Sequence, residues 1–76
     1  MPPDLRKTLL TLAEDAASKA CLSQAAYRGA VASGSRAAAN RAREMFRQHR
    51  DRTAHWLERA GLGAKAEECR RATLHG

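Results

Sequence analysis

The chain has 76 residues, with fourteen Lys and Arg against eight Asp and Glu, for a formal net charge of +6. That length bounds it to one small domain and excludes barrels, dinucleotide-binding sheets and most enzyme folds. The 43% hydrophobic content overstates the core, because seventeen of those residues are Ala. Beyond Met1, the large apolar side chains are eight Leu plus Tyr27, Val31, Met45, Phe46 and Trp56. Ala favours helix but buries little apolar area. A second copy is therefore expected to complete the core.

The apolar stretches are short and broken by charges, so neither a signal peptide nor a membrane span is expected, and the location expected is cytoplasmic. In that compartment Cys21 and Cys69 are expected to be free thiols. The basic excess sits mid-chain: residues 28–59 hold eight Arg against Glu44, Asp51 and Glu58.

The first predicted helix spans about residues 4–28. Pro2 and Pro3 precede it, and Asp4 places a negative charge in its first turn. Leu5, Leu9, Leu12, Ala16, Ala20, Ser23 and Tyr27 recur within an arc of about 80° and form its expected apolar stripe. Leu10 and Leu22 fall off that stripe. Asp15 and Lys19 have the i,i+4 spacing of an ion pair.

Gly29 and the segment Ala32-Ser33-Gly34-Ser35 predict a turn, with Ser33 and Ser35 as candidate caps of the next helix. So short a connection predicts antiparallel neighbours. The second helix is predicted at about 36–60. Its stripe is Ala38, Ala42, Met45, Phe46, His49, Thr53, Trp56, Leu57 and Ala60, within an arc of about 120°. Gly61 is placed as its terminating glycine, with Leu62 positioned for the accompanying contact. A short third helix is predicted at about 64–73. Glu67 there has Arg70 and Arg71 within reach, and Leu74 is the one large apolar residue available for docking. His75 and Gly76 are expected to fray.

The fold class is thus all-α: a hairpin of two long helices plus a short C-terminal helix, expected to dimerise into a four-helix bundle. A monomeric three-helix bundle is the alternative.

The Arg residues of the second helix fall on two edges. Arg36, Arg43, Arg47 and Arg50 form one line beside Phe46 and Leu57. Arg41, Arg52 and Arg59 form another on the opposite flank, and Glu44, Asp51 and Glu58 occupy the back. Guanidinium forks bind carboxylates and phosphates in bidentate fashion. Positions 43, 47 and 50 set three of them roughly 5–6 Å apart. Flanking arginines also occur merely as solubilising groups whose stems cover apolar surface. Trp56 is read as core or dimer seam, and Phe46 or Trp56 as the apolar anchor of a docking surface.

Other signals are weak. The stretch from Leu22 to Arg36 has a faint helix-turn-helix cadence, but with Gly34 at the turn Asn40 falls where an apolar anchor is required. His49 and His55 are six apart, as are Cys69 and His75, and neither spacing is that of a zinc site. No two carboxylates share an apolar face, and neither Cys has an adjacent His, so no catalysis, metal or cofactor is expected.

The expected function is binding. The first expectation is a small regulator or inhibitor, of the kind phages and mobile elements encode, docking on an acidic surface of a larger nucleic-acid-processing protein. Arg43, Arg47 and Arg50 would supply its charge pairing. The alternatives are a dimer binding RNA or DNA directly, and a structural assembly subunit. No membrane and no small-molecule substrate are expected.

Overall fold

Both turns of the chain are built on glycine. In the computed structural model, which describes residues 2–74, α1 spans Pro3–Ser33, α2 Arg36–Arg59 and α3 Gly63–Arg70, and no strand occurs among the described residues. Gly34 holds φ at 76°, and Ser35 N–H donates to the Ala30 carbonyl at 3.0 Å while Gly34 N–H donates to Val31 at 3.1 Å. The same pair of bonds closes α2, where Gly61 sits at φ 86°, Leu62 N–H reaches the Leu57 carbonyl and Gly61 N–H that of Glu58. These are Schellman ends, which only glycine adopts without strain. The Ser35 hydroxyl then accepts from Ala38 N–H and caps α2.

The first helix runs five residues further than its sequence pattern indicates, through Gly29 to Ser33. A lone glycine inside a helix costs only about 1 kcal/mol. The extra turn places Ala30 against α2, where it is buried. The turn is therefore Gly34-Ser35 alone. At the other end α3 stops at Arg70, three residues short of the predicted end. Its docking residues are Ala66, fully buried, and half-buried Cys69, whose thiol donates to the Arg50 carbonyl. The expected docking residue, Leu74, lies beyond the helix and is half-buried. The expected fraying of His75 and Gly76 lies outside the described residues.

The helices form an elongated layer. The Cα outline is 48 × 19 × 13 Å, and the radius of gyration is 13.9 Å. A compact chain of this length would have about 11 Å. Helix α1 lies along α2, and α3 packs on α2 alone. The core between α1 and α2 is small-residue packing: Leu9, Ala13, Ala16 and Ala30 meet Ala39, Ala42, Phe46 and Thr53. The Thr53 hydroxyl is satisfied within its own helix by the His49 carbonyl at 2.7 Å. Among the described residues, no large side chain is fully buried.

Residues seven apart on a helix lie nearly in line, and these lines define the two faces of the hairpin. On the α3 side, Leu10 and Ala17 of α1 line one groove with Thr53, Leu57 and Leu62. On the other side, Ser23 and Ala26 of α1 line a groove with Ala38, Arg41, Ala42 and Met45 of α2. The line through Ala26 continues to Lys19, Leu12 and Leu5. The line through Ala38 and Met45 continues to Arg52 and Arg59. We call this the open face, because α3 and the tail lie on the other.

Two stripe assignments change as a result. Leu5 and Leu12 are not core: they are 46% and 38% exposed on the rim of the open face. Leu10, off the expected stripe, is half-buried. On the α3 side, Leu10 and Ala17 share a groove with Leu57 and with Leu62 of the turn before α3. Met45 is likewise 41% exposed, and His49, Trp56 and Leu57 are half-buried. Ala54, which the sequence pattern left outside the stripe, is fully buried on the side of α2 that receives α3.

Candidate functional site

Helix α2 separates its arginines as the sequence spacing requires, but the two edges differ in what the guanidinium groups do. On the α3 side, Arg43, Arg47 and Arg50 line a cleft of about 430 Å³ with Tyr27, Phe46, Thr73 and Leu74. Phe46 is buried and belongs to the α1–α2 core, so it meets this cleft from its wall rather than as a projecting anchor. Arg36 stands beside the next groove along, with Tyr27, Val31 and Arg43.

The cleft arginines are largely engaged. Arg43 donates to the Tyr27 hydroxyl at 3.3 Å and stacks 5.6 Å from the ring centroid. Arg47 pairs with Glu44 at 2.6 Å, one turn back on the same helix. Arg50, the least exposed of the three, pairs with Asp51 at 3.0 Å and donates to the Ala72 carbonyl at 3.1 Å, tying the tail to α2. The Arg47 guanidinium holds the Glu44 carboxyl below the ordinary carboxylate range through a direct hydrogen bond. Both acids therefore offset positive charge along this edge.

The opposite edge is different. Among the described residues, Arg41 and Arg52 have no side-chain hydrogen bond, ion pair or ring partner. Arg36 shares that condition on the α3 side. Arg59 lies 6.0 Å from the Trp56 ring centroid, and His55 meets the same indole edge-on at 4.9 Å. Arg41 and Arg52 therefore stand free beside exposed Met45 and half-buried Trp56. On the facing helix, Leu5 and Leu12 add apolar area, and Lys19 is tied to Asp15 at 3.1 Å. A free guanidinium next to exposed apolar surface retains its full capacity for a bidentate carboxylate.

At the far end, Arg70 bridges α3 to α2 by pairing with Glu58 and, at 3.0 Å, with Glu67. The sequence spacing had offered Arg71 to Glu67 as well; the structure gives Glu67 to Arg70. Burial raises the Cys69 thiol above its ordinary value. Cys21 is exposed, and both cysteines are free. Among the described residues, no three His, Cys, Asp or Glu side chains gather as a metal site. No helix among them is long and apolar enough to cross a membrane.

Comparison of the chain with protein-family models, curated proteins and solved structures finds no match.

The residues expected to bind thus fall into two groups. The structure brings Arg43, Arg47, Arg50 and Phe46 together around one cleft. It places Arg41, Arg52, Arg59 and Trp56 on the other edge, on the face that leaves Leu5 and Leu12, expected in the core, exposed. The division of the arginines between two edges of α2 was visible in the sequence spacing. What was not visible was that α3 would cover only one side of the hairpin.

Proposed function

We propose that the chain is a non-catalytic binding protein that docks on an acidic surface of a larger protein, using the open face of its hairpin. One observation carries this reading: Arg41 and Arg52 are unpaired, and Arg41 lines a groove with exposed Met45 on the face that also leaves Leu5 and Leu12 exposed. Charge steers association and selects the partner, while apolar contact supplies most of the affinity. Arg59 and Trp56 extend the same surface.

On the Arg43–Arg50 edge, pairing with acids weighs against nucleic acid. A phosphate track requires uninterrupted cations, yet Arg47 is paired with Glu44 and Arg50 with Asp51. The Arg43-Arg47-Arg50 cleft supports a second reading, in which a carboxylate enters between Arg43 and Arg47. A pair of hairpins forming a four-helix bundle is a further arrangement, favoured because no large side chain among the described residues is fully buried.

The test is fluorescence anisotropy of labelled polyglutamate and of a labelled DNA duplex, titrated with the chain at low and physiological salt. The reading expects polyglutamate to bind, and binding to drop when Arg41 and Arg52 are both replaced by Glu. Binding of the duplex alone, with a steep salt dependence, would overturn it in favour of nucleic acid.

A further inference from the structure

The open face carries exposed Leu5, Leu12 and Met45 among cations. Its α1 line runs Leu5, Leu12, Lys19 and Ala26, and its α2 line Ala38, Met45, Arg52 and Arg59, with Lys19 held by Asp15. From the Leu5–Arg59 end to the Ala26–Ala38 end the face spans 21 residues of α1, roughly 31 Å at the α-helical rise. Near the turn it holds a groove lined by Ser23, Ala26, Ala38 and Ala42, small side chains that let another backbone approach closely. Along the α2 rim stand Arg41 and Arg52, unpaired, and Arg59 over Trp56.

We infer that this face seats an amphipathic helix of the partner protein, with an apolar stripe facing Leu12 and Met45 and a row of carboxylates facing Arg41 and Arg52. The inference rests on the reading that the target is acidic, and it adds the form of the recognised segment. An apolar stripe laid between two antiparallel helices completes a three-helix bundle, which is the helix-in-groove mode of recognition. Arg41 and Arg52 are eleven residues apart, so their guanidinium groups are served by carboxylates about 16 Å apart, three turns along one edge of the incoming helix.

Charge selects this occupant over a second copy. On this face a copy offers Lys19, Arg41, Arg52 and Arg59 against Asp15, and Asp15 is already held by Lys19. Two copies face to face would set basic rim near basic rim, on a chain that already carries +6. Like charges brought together in an interface are a strong penalty. An incoming helix with an acidic edge meets no such obstacle.

The experiment uses two fluorescein-labelled peptides of about 21 residues and identical composition. One arranges Leu at heptad core positions with Glu along the flanks; the other is a shuffled sequence with no helical stripe. Each is titrated with the full chain by anisotropy, and circular dichroism verifies that every variant remains helical. The amphipathic peptide is expected to bind about tenfold or more tightly than the shuffled one. Replacing Arg41 and Arg52 by Glu should weaken it by about tenfold or more, whereas Arg43→Glu with Arg47→Glu should change it by less than about threefold. Equal binding of both peptides would overturn the helix inference and leave the acidic-target reading standing. Loss confined to the Arg43/Arg47 variant would move the site to the cleft and overturn the assignment of this face. Failure of both peptides and of polyglutamate would overturn inference and reading together. Sedimentation showing a dimer that Met45→Glu dissociates would assign the face to a second copy and overturn the proposal.

Discussion

The Arg43 guanidinium is held by Tyr27, sixteen positions earlier in the chain, through a 3.3 Å hydrogen bond to the hydroxyl and a ring contact at 5.6 Å. This pair bridges α1 and α2 on the α3 side of the hairpin and occupies a cation that sequence spacing alone would offer to a ligand. Arg43 is exposed, so the bond is a modest contributor. Tyr27→Phe keeps the ring and removes only the hydroxyl. It should lower unfolding stability in urea by about 0.5–1 kcal/mol and leave acidic-peptide binding unchanged. A larger change in binding than in stability would contradict the assignment of this pair to structure.

The glycines separate by sign. Gly34 and Gly61 hold positive φ values of 76° and 86°, so alanine there should cost about 1 kcal/mol or more each. Gly29 lies within α1, and a Cβ added there meets nothing within 4 Å. Gly29→Ala should stabilise the chain by roughly 0.5–1 kcal/mol. Thermal or urea unfolding of the three single variants checks both signs at once.

Helix α3 is held by small buried contacts. Ala54 and Ala66 are both fully buried. Ala66→Leu should overpack the α2–α3 contact at a cost of about 1–3 kcal/mol. Because α1 does not share that contact, the loss should appear as faster amide exchange within Gly63–Arg70 while the α1–α2 hairpin stays protected.

Acid should loosen the same contact. The Arg70 guanidinium holds the Glu58 carboxyl below its ordinary value through a direct hydrogen bond. A carboxyl depressed on folding contributes stability that is present above its unfolded value, about 4.3, and is lost as pH falls through the depressed folded value. The Glu58 carboxyl resonance should therefore titrate below the ordinary range. Arg70→Ala should return it to that range and remove the acid sensitivity of the α3 amides.

Much of the architecture was legible from sequence because its signals are local. Ser35 as a cap, Gly61 with Leu62 as a helix end, and the Asp15–Lys19 pair are each decided by residues within five positions of one another. The burial pattern of α1 was not legible. In a helix where Ala occupies so many positions, several stripes are equally apolar, and the choice among them depends on what packs alongside. Leu5 and Leu12 satisfy the 3.6-residue period, yet they are left on the rim, while Leu10 shares a groove with Leu57 and Leu62. Gly29 was read as a breaker because tertiary contacts, which outweigh its propensity, lie beyond any local window. The two arginine edges were visible as spacing. That Tyr27 and the Ala72 carbonyl would engage one of them was not, since both are distant in sequence.

The central claim is that the face away from α3 is the docking surface. The most direct measurement is a map of backbone amide shifts in the ¹⁵N-labelled chain as the acidic amphipathic peptide is added. The account predicts shifts along Leu5, Leu12, Ala38, Arg41, Met45 and Arg52, with Tyr27, Arg43 and Arg47 unmoved. Shifts concentrated on Tyr27, Arg43, Arg47 and Leu74 would contradict it and place the partner in the cleft on the α3 side.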